Sequence, residues 1–390
     1  MFEKENRELR DRELLRTIMA RASAVGPLIR IQGRRYINFA SNDYLGLANH
    51  PDLVSAARKA LDDFGVGSGA SRLLAGGTVL HDKLEKLIAG YKQTDAARLF
   101  NSGYAANTGM IPALTSEKDI IFSDELNHAS IIDGCRLSRA QTVVYRHGNI
   151  SHLEHLMKQR FRGRGRKIVI TDTVFSMDGD IAPLRELHDL CSTLNSASAT
   201  DHPVLLYLDD AHGTGVLGQG RGALAHFKII PEPWIMQMGT FSKAFGSCGA
   251  FGAGAEDIIQ WVSSTARSLL FSTALPASAA AASIAALRII KNNPHLIQQL
   301  WLNREKLVKG LEGLGYDCMQ SETPIIPIRT GSVPEAMRLS MFLLEHGCYV
   351  PAIRPPTVTE PRIRITVSAA HKDRHRDKLL EILKKWRLKR

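Results

Sequence analysis

Short apolar runs alternate with amphipathic segments from about residue 50 onward. The apolar runs occupy residues 96–100, 167–172, 204–210 and 234–240. They are too short for helices and are typical of buried strands. Between them, residues 81–91 and 183–194 place apolar side chains on one face, which predicts amphipathic helices. This alternation predicts an α/β fold in which helices cover a mainly parallel sheet.

The C-terminal quarter follows a different order of elements. An alanine-rich segment at 275–290 predicts a long helix. Residues 295–390 then show a helix, a strand, a helix, a strand and a basic helix, which predicts a smaller α+β domain. We therefore expect an N-terminal segment over 1–40, a large domain over 41–290 and a small domain over 291–390.

The composition is that of an ordinary folded protein. Of the 390 residues, 44% are hydrophobic and 23% are charged, which excludes the disordered and fibrous classes. The first stretch is charged throughout and no run of about 18 apolar residues occurs, so we expect a cytoplasmic protein without a membrane partner. Five cysteines without a Cys-x-x-Cys pair favour reduced thiols and no metal site.

The net charge of +11 is concentrated in two segments. Residues 158–167 and 384–390 carry eleven basic and no acidic side chains, which equals the whole excess. A basic coat for nucleic acid is therefore not expected. The two segments are either solvated surface or a contact for a phosphate-bearing or acidic partner.

A lysine follows the last of the apolar runs. Lys243 lies among small and hydroxyl residues directly after residues 234–240. A lysine at the end of a buried strand loses solvation and can then act as an amine nucleophile toward an aldehyde. The alternative is an exposed turn residue, because loops are normally solvated.

An acid and an imidazole follow the run at 204–210. Asp209 and His212 are delivered to the end of this strand, and open α/β sheets bind ligands beyond the carboxyl ends of their strands. A buried carboxylate needs a cationic partner, so the pair is a candidate ligand site. The alternative is a structural role in which Asp210 caps a helix.

Small residues follow the run at 96–100. Ser102, Gly103 and Tyr104 precede a helical pattern, and amides at a helix N-terminus suit a phosphate, although a plain connecting turn is the alternative. The spacing Gly-x-Gly-x-x-Gly is absent here, which disfavours a nicotinamide-dependent oxidoreductase. His128 and Ser176 complete the candidate set, although a single histidine is more often structural than functional.

Eight motifs resemble those of the α-oxoamine synthases, which are pyridoxal-phosphate enzymes of fold type I. The resemblance runs from about residue 36 to residue 371, with the motifs in the family's order. It implies a large domain with a mainly parallel seven-stranded sheet and a smaller α+β C-terminal domain. The motifs are SNDYLGL (41–47), GSGASR (67–72), NSGYAAN (101–107), ELNHASIIDG (125–134), FSMDGD (175–180), LDDAHGTG (208–215), TFSKAFG (240–246) and RPPTV (354–358).

The resemblance implies pyridoxal 5′-phosphate as the cofactor. Lys243 stands at the family's Schiff-base position, and Asp209 at that of the acid that pairs with the pyridine nitrogen. His128 matches the imidazole stacked on the ring. His212 matches a group near the phenolic oxygen, and these four residues are the expected catalytic set. The remaining expected cofactor contacts are Ser176 at the same oxygen and Ser102, Gly103, Tyr104 and Thr240 at the phosphate.

The resemblance also implies residues that bind the substrates. Asn42 and Arg364 match positions near the amino-acid carboxylate, where a guanidinium binds two oxygens at once. Arg16 and Thr357 match other substrate-side positions. The segment after RPPTV is shorter than in the family, which leaves Arg362 as an alternative to Arg364, and we favour Arg364.

The reaction implied by the resemblance is a decarboxylative Claisen-type condensation. Glycine-specific members carry threonine where Ser71 stands, and the lost methyl group leaves room for alanine. The C-terminal motifs are most like those of members that join L-alanine to a pimeloyl thioester, of coenzyme A or of acyl carrier protein, in biotin biosynthesis. A member that uses glycine or serine is an alternative, and a nucleic-acid-binding protein is the non-enzymatic one. The resemblance further implies a homodimer.

Overall fold

The computed structural model describes residues 1–160, 165–197 and 203–389. Its helices are α1 (Glu3–Asp11), α2 (Pro51–Phe64), α3 (Val79–Lys92), α4 (Gly103–Ala113), α5 (Ala129–Leu137), α6 (Ile150–Arg160), α7 (Leu184–Ala197), α8 (Ala223–His226), α9 (Glu256–Thr265), α10 (Arg267–Leu270), α11 (Ala277–Asn292), α12 (Pro294–Gly313), α13 (Val333–Glu345) and α14 (Asp373–Leu388), with a 3₁₀ turn at Gly218–Gly220. Its strands are β1 (Leu28–Ile31), β2 (Arg34–Asn38), β3 (Ala96–Phe100), β4 (Ile120–Asp124), β5 (Gln141–Tyr145), β6 (Lys167–Asp172), β7 (Leu205–Asp209), β8 (Ile235–Thr240), β9 (Ala250–Gly254), β10 (Ile325–Arg329), β11 (Cys348–Tyr349), β12 (Ala352–Ile353) and β13 (Arg362–Thr366).

The chain divides into two units. The larger unit comprises His50–Phe175 and Ile181–Pro294, and the smaller unit comprises Met1–Asn49, Ser176–Asp180 and His295–Arg390. Backbone hydrogen bonds tie residues before position 50 to the C-terminal part: Thr366 N donates to Phe39 O and Ala369 N to Tyr44 O, each at 2.8 Å. The domain limits expected at residues 40 and 290 stay a prediction, because compactness alone does not define domains that fold independently.

The larger unit is built on a seven-stranded sheet. Its strand order is β3-β9-β8-β7-β6-β4-β5, and β9 runs antiparallel to both neighbours whereas the other pairs are parallel. Almost every residue of β6, β7 and β8 is buried. Strands covered on both faces have continuous apolar runs, which is why these strands were visible in the sequence. The predicted fold class is confirmed.

The smaller unit contains two three-stranded sheets. Their orders are β10-β13-β12 and β1-β2-β11. The core of this unit joins side chains of β10, β13, α13 and α14, including Ile326, Ile363, Leu343 and Leu379. The α+β composition was predicted from the C-terminal sequence. The hairpin of β1 and β2 was not, because its strands are short and one of them pairs with β11, more than three hundred residues later.

Two surface expectations are only partly covered by the described residues. Positions 161–164 of the basic segment at 158–167 lie outside them, and so does the last residue of the segment at 384–390. In the part of the chain that is described, no helix has the length and apolar character required to cross a bilayer.

Candidate active site

Neighbouring parallel strands of the larger unit end in aspartate. Strand β4 ends at Asp124, β6 at Asp172 and β7 at Asp209, and β8 leads into the loop that carries Lys243. Asp172 and Asp209 are direct partners in the register of β6 and β7. Because parallel strands end at one edge of a sheet, the predicted acid and the predicted lysine share that edge.

Asp209 is buried among neutral donors. Only 3% of the surface of Asp209 is exposed. Oδ2 accepts a hydrogen bond from Asn107 Nδ2 at 2.8 Å, and Oδ1 accepts one from the backbone N of Ala211 at 3.0 Å. Since these donors carry no charge, the negative charge of the carboxylate is left for a cationic partner such as a protonated ring nitrogen.

Asp210, the next residue, has a different environment. Its Oδ2 accepts from Lys92 Nζ at 2.7 Å and from Thr214 Oγ1 at 2.8 Å, and both side chains of the ion pair are buried. Its Oδ1 accepts from Thr173 Oγ1 at 2.7 Å and from Ala223 N at 3.1 Å. Asp210 is therefore fully engaged in holding the fold together.

His128 connects the carboxylates with the start of α5. Its ring is accessible, and Nδ1 lies 3.2 Å from Ser130 N and 2.7 Å from Ser130 Oγ. Its backbone N donates to Asp172 Oδ2 at 2.6 Å. Partial burial lowers the pKa of His128, Asp209 opposes this, and the positive charge of Lys243 lowers the pKa further. His128 therefore lies within electrostatic reach of both the acid and the lysine.

Asp172 was not among the residues expected from the sequence. Burial, and secondly the negative charge of Asp209, raise the pKa of Asp172 well above its usual value, while the hydrogen bond from His128 and the charge of Lys243 act in the opposite direction. The available signal was its place at the end of an apolar run, as for Asp209. Asn107 was also missed, because a polar residue inside a helix does not reveal its partner.

The N-terminus of α4 lies where the phosphate site was predicted. Ser102 is the N-cap, and its Oγ accepts from Ala105 N at 3.1 Å. The amides of the first helical turn, which include Gly103 and Tyr104, have no partners within the helix and are suited to an anion. The Tyr104 hydroxyl donates to Asp133, and this hydrogen bond raises the pKa of Tyr104.

Hydrogen bonds shape the loop that carries Lys243. Thr240 Oγ1 donates to Gly249 O at 2.8 Å and accepts from Ser242 N at 3.2 Å. Gly246 N donates to Lys243 O at 2.9 Å. Thr240, expected at the phosphate, thus also closes the base of the loop. His212 is buried in the segment that follows β7.

In the smaller unit, Arg364 of β13 lies among neutral partners. Its Nη2 donates to Asn42 Oδ1 at 3.1 Å, its Nη1 to Thr366 Oγ1 at 3.0 Å and its Nε to Ser176 O at 2.5 Å. The Tyr44 hydroxyl also bonds to this guanidinium, and burial raises the pKa of Tyr44 to about 12, which keeps it neutral. The structure thus brings the expected Asn42 and Arg364 together.

Arg362 shares the same strand but is neutralised. It forms a salt bridge with Asp178, and its Nε donates to Glu360 O at 3.0 Å. Of the two arginines that the sequence left as candidates, Arg364 is the one whose charge has no carboxylate among these contacts. The geometry supports the choice of Arg364, and its role toward a substrate stays a prediction.

The remaining expected residues lie in two places. Arg16 contacts the RPPTV segment, with Nη2 3.5 Å from Thr357 Oγ1 and 3.2 Å from Arg354 O. The buried Arg354 donates in return to Leu15 O at 3.0 Å. Ser71 belongs to the larger unit and is half-buried. The structure thus brings Arg16 and Thr357 together.

The groups of the larger unit fit pyridoxal phosphate by their chemistry. Asp209 is a buried acid with neutral donors, which suits a pyridinium nitrogen. The start of α4 suits the phosphate, and Lys243 offers a primary amine for the aldehyde. His128 adds an accessible aromatic ring close to both charges.

Relatives of known sequence are similar over nearly the whole chain. A relative in Thermodesulfovibrio yellowstonii, provisionally named 8-amino-7-oxononanoate synthase, is 50% identical over 97% of this chain and 95% of its own. The 8-amino-7-oxononanoate synthase of Thermoanaerobacter pseudethanolicus is 43% identical over 97% of this chain and 94% of its own. The 8-amino-7-oxononanoate synthase of Geobacter sulfurreducens is 44% identical over 94% of this chain and 93% of its own.

Solved structures share the fold. A serine palmitoyltransferase variant from S. paucimobilis, solved with bound pyridoxal phosphate and myriocin, has a TM-score of 0.91 at 27% identity and covers 98% of this chain and 96% of its own. The 8-amino-7-oxononanoate synthase of Francisella tularensis has a TM-score of 0.77 at 28% identity, and the match covers 91% of this chain and 98% of its own. Residues 34–383 match the family described as aminotransferase class I and II. The chain therefore belongs to the aminotransferase class I and II family and, within it, to the α-oxoamine synthases that its motifs resemble.

Proposed function

We propose that the protein is a pyridoxal-phosphate-dependent acyltransferase that makes 8-amino-7-oxononanoate for biotin biosynthesis. L-Alanine gains the pimeloyl group at Cα, the thiol leaves, and carbon dioxide is released. The observation that carries the proposal is the shared sheet edge of Asp209, buried among neutral donors, and Lys243. The choice of substrates is based on the names of relatives that are 43–50% identical over nearly the whole chain.

The catalytic roles follow from the charges at this edge. Pyridoxal phosphate, when bound, supplies an aldehyde and an electron-withdrawing ring that stabilises negative charge at the amino-acid Cα. Asp209 holds a proton at the ring nitrogen. Lys243 would hold the aldehyde of the cofactor through its amine and would act as the general base toward the Cα proton of alanine. His128 would hold the face of the cofactor ring, and His212 would donate to its phenolic oxygen.

The other site residues bind and orient the cofactor and the substrates. We assign the phosphate to the start of α4 with Thr240, and the phenolic oxygen also to Ser176. Arg364 and Asn42 bind the alanine carboxylate, because the guanidinium has neutral partners and a free charge to offer. We further assign Ser71, Arg16 and Thr357 to the binding of the substrates, and Arg16 and Thr357 are in contact with each other.

The acyl donor is an anionic thioester of coenzyme A or acyl carrier protein. The basic end of α14 is one candidate surface for steering it. Part of that charge is already used, because Lys385 pairs with Glu381 at 2.6 Å and Lys389 lies over the Phe342 ring. We expect turnover with the carrier-bound donor to fall with ionic strength, and a salt-independent rate would remove the case for steering.

We propose that the enzyme is a homodimer. The loop after α2 exposes large apolar side chains, and Ser68 Oγ and Ala70 O bond to Leu275 O and Ala274 N, so this loop lies beside the segment that follows α10. Apolar patches of this kind mark interfaces. Light scattering should give twice the chain mass, and Leu74→Glu should reduce it toward the monomer. The exposed side chains are Val66, Leu73, Leu74, Val79 and Phe271.

A product assay tests the proposed reaction. Alanine, glycine and serine are each paired with pimeloyl and short-chain thioesters, and amino ketone and carbon dioxide are measured. Products only with alanine and the pimeloyl donor support the proposal. Preferred turnover of glycine with an acetyl donor would replace it with another reaction of the family.

Lys243→Ala tests the catalytic assignment directly. We expect complete loss of turnover and of the absorbance of the lysine-linked cofactor, because no other amine occupies this loop. Lys118→Ala, at an exposed lysine, is the matched control and should retain both. Retention of both signals in Lys243→Ala would refute the assignment.

A further inference from the structure

A buried amide on α4 is hydrogen-bonded through all its polar atoms. Asn107 is fully buried. Its Nδ2 donates to Asp209 Oδ2 and to Ser130 Oγ, both at 2.8 Å, and its Oδ1 accepts from the Tyr207 hydroxyl at 2.7 Å. Turning the amide over would place its carbonyl oxygen against the Asp209 carboxylate. The orientation of Asn107 is therefore determined by its neighbours.

The direction of these bonds extends to His128. Ser130 Oγ accepts from Asn107, so its own hydrogen is available to His128 Nδ1 at 2.7 Å. Ser130 N donates to the same ring nitrogen at 3.2 Å. With two donors directed at it, Nδ1 acts as an acceptor and the ring proton resides on Nε2.

The surrounding charges agree with this arrangement. Among the described residues, Asp209 and Lys243 act on His128 through their charges and Asp172 accepts from its backbone N, and partial burial lowers the pKa of its ring. Burial and the charge of Asp209 raise the pKa of Tyr207, so its hydroxyl remains a donor to Asn107.

We propose that Asn107 is a positioning residue that holds Asp209 Oδ2 as an acceptor and His128 as the neutral imidazole protonated at Nε2. The functional consequence rests on the proposed function, in which Asp209 and His128 are the groups that address the cofactor. One amide then fixes the acid and the imidazole together. Loss of the amide should disturb both, whereas loss of Ser130 Oγ should disturb His128 alone.

The tautomer is measured by nitrogen NMR of the holoenzyme labelled with ¹⁵N-histidine. The His128 signals are assigned by their absence in His128→Gln. The wild type should show a protonated Nε2 and an unprotonated Nδ1. In Asn107→Ala we expect a mixture of tautomers and a rise of about one pH unit in the midpoint of ring protonation, because Nδ1 loses its oriented donor.

The cofactor absorbance gives the second reading. Its pH midpoint should shift by about one unit in Asn107→Ala, because Asp209 loses a hydrogen-bond donor. Ser130→Ala should change the His128 signals and leave this midpoint in place. Asn303→Ala is a control at another buried asparagine, which donates to Ser368 O and His371 O at 3.0 Å, and should leave both readings unchanged.

Unchanged His128 signals and an unchanged absorbance midpoint in Asn107→Ala would overturn the proposal. If that variant fails to fold or to retain the cofactor, Tyr207→Phe removes only the hydroxyl that orients the amide. It should produce a smaller shift of the same His128 signals, and no shift would likewise overturn the proposal. A tautomer that depends on Asn107 in a protein that forms no oxononanoate would refute the proposed function but not this inference.

Discussion

In two regions of the molecule, two residues of the same charge lie close together in the sequence but have different partners. At the edge of the large sheet, Asp210 pairs with the buried Lys92 at 2.7 Å, whereas Asp209 has neutral donors. On β13, Arg362 pairs with Asp178, whereas the four partners of Arg364, the Tyr44 hydroxyl included, are neutral.

The difference separates structural charges from charges available to a ligand. A buried charge with a counter-ion is compensated by the fold, and removing one partner leaves the other uncompensated. A buried charge held only by neutral groups remains able to attract an opposite charge from outside the chain. Motif similarity alone does not make this distinction between residues one or two positions apart.

Among the variants of these two charged pairs, Asp209→Asn should have the largest effect on activity. We expect kcat to fall about 10³-fold with little change in Tm, because the amide keeps the shape but not the charge that stabilises the ring nitrogen. Steady-state kinetics and thermal unfolding measure the two effects. Asp257→Asn, an exposed acid on α9, should behave as wild type. A loss of less than tenfold would contradict the contrast with Asp210.

Lys92→Met should act on stability instead. Breaking this buried pair should lower the free energy of unfolding by about 3–5 kcal/mol, because Asp210 is left uncompensated. Denaturant unfolding measures the loss, and kcat per folded, cofactor-loaded protein should stay near wild type. The double variant Lys92→Met/Asp210→Asn should lose less free energy of unfolding than the two single variants lose together, since the pair acts as a unit. An additive result would argue against a coupled pair.

The arginine pair allows a smaller and more specific test. Arg364→Lys should raise KM for alanine about tenfold, because an ammonium cannot bind two carboxylate oxygens in the geometry of a guanidinium. Arg362→Lys, the matched control, can keep the ion pair with Asp178 and should leave this KM unchanged. Equal effects of the two substitutions on KM would remove the distinction between them.

Asp172→Asn should have the smallest effect of these variants, and that effect is a change in how stability depends on pH. Because burial and Asp209 raise the pKa of Asp172 above its ordinary value of 3.8, the unfolded chain releases this proton first and stability falls as pH rises above that value. Asparagine has no proton to release and should make the decline less steep. Urea unfolding from pH 4 to pH 8 measures the slope, and a steeper decline in the variant would contradict the reasoning.

The sequence was most informative where neighbours along the chain share one environment. Strands β6 and β8 were predicted because both of their faces are buried, which leaves a continuous apolar run. Lys243, Asp209 and His128 were predicted as site residues because each follows a strand or lies in a family motif. Asp172 follows the same rule and would have been found by applying it to every strand end.

The sequence by itself determined the α/β class, the positions of four strands of the large sheet, the family and a set of candidate site residues whose roles stay predictions. Only the tertiary structure decided that Asp210 pairs with Lys92, 118 positions away, and that Asn107 joins Asp209 to Ser130. It also decided that Arg362 pairs with Asp178, which leaves Arg364 among neutral groups. Hydrophobic periodicity is a local property of the chain, whereas the compensation of a buried charge depends on which distant side chains the packed strands and helices bring within hydrogen-bonding distance.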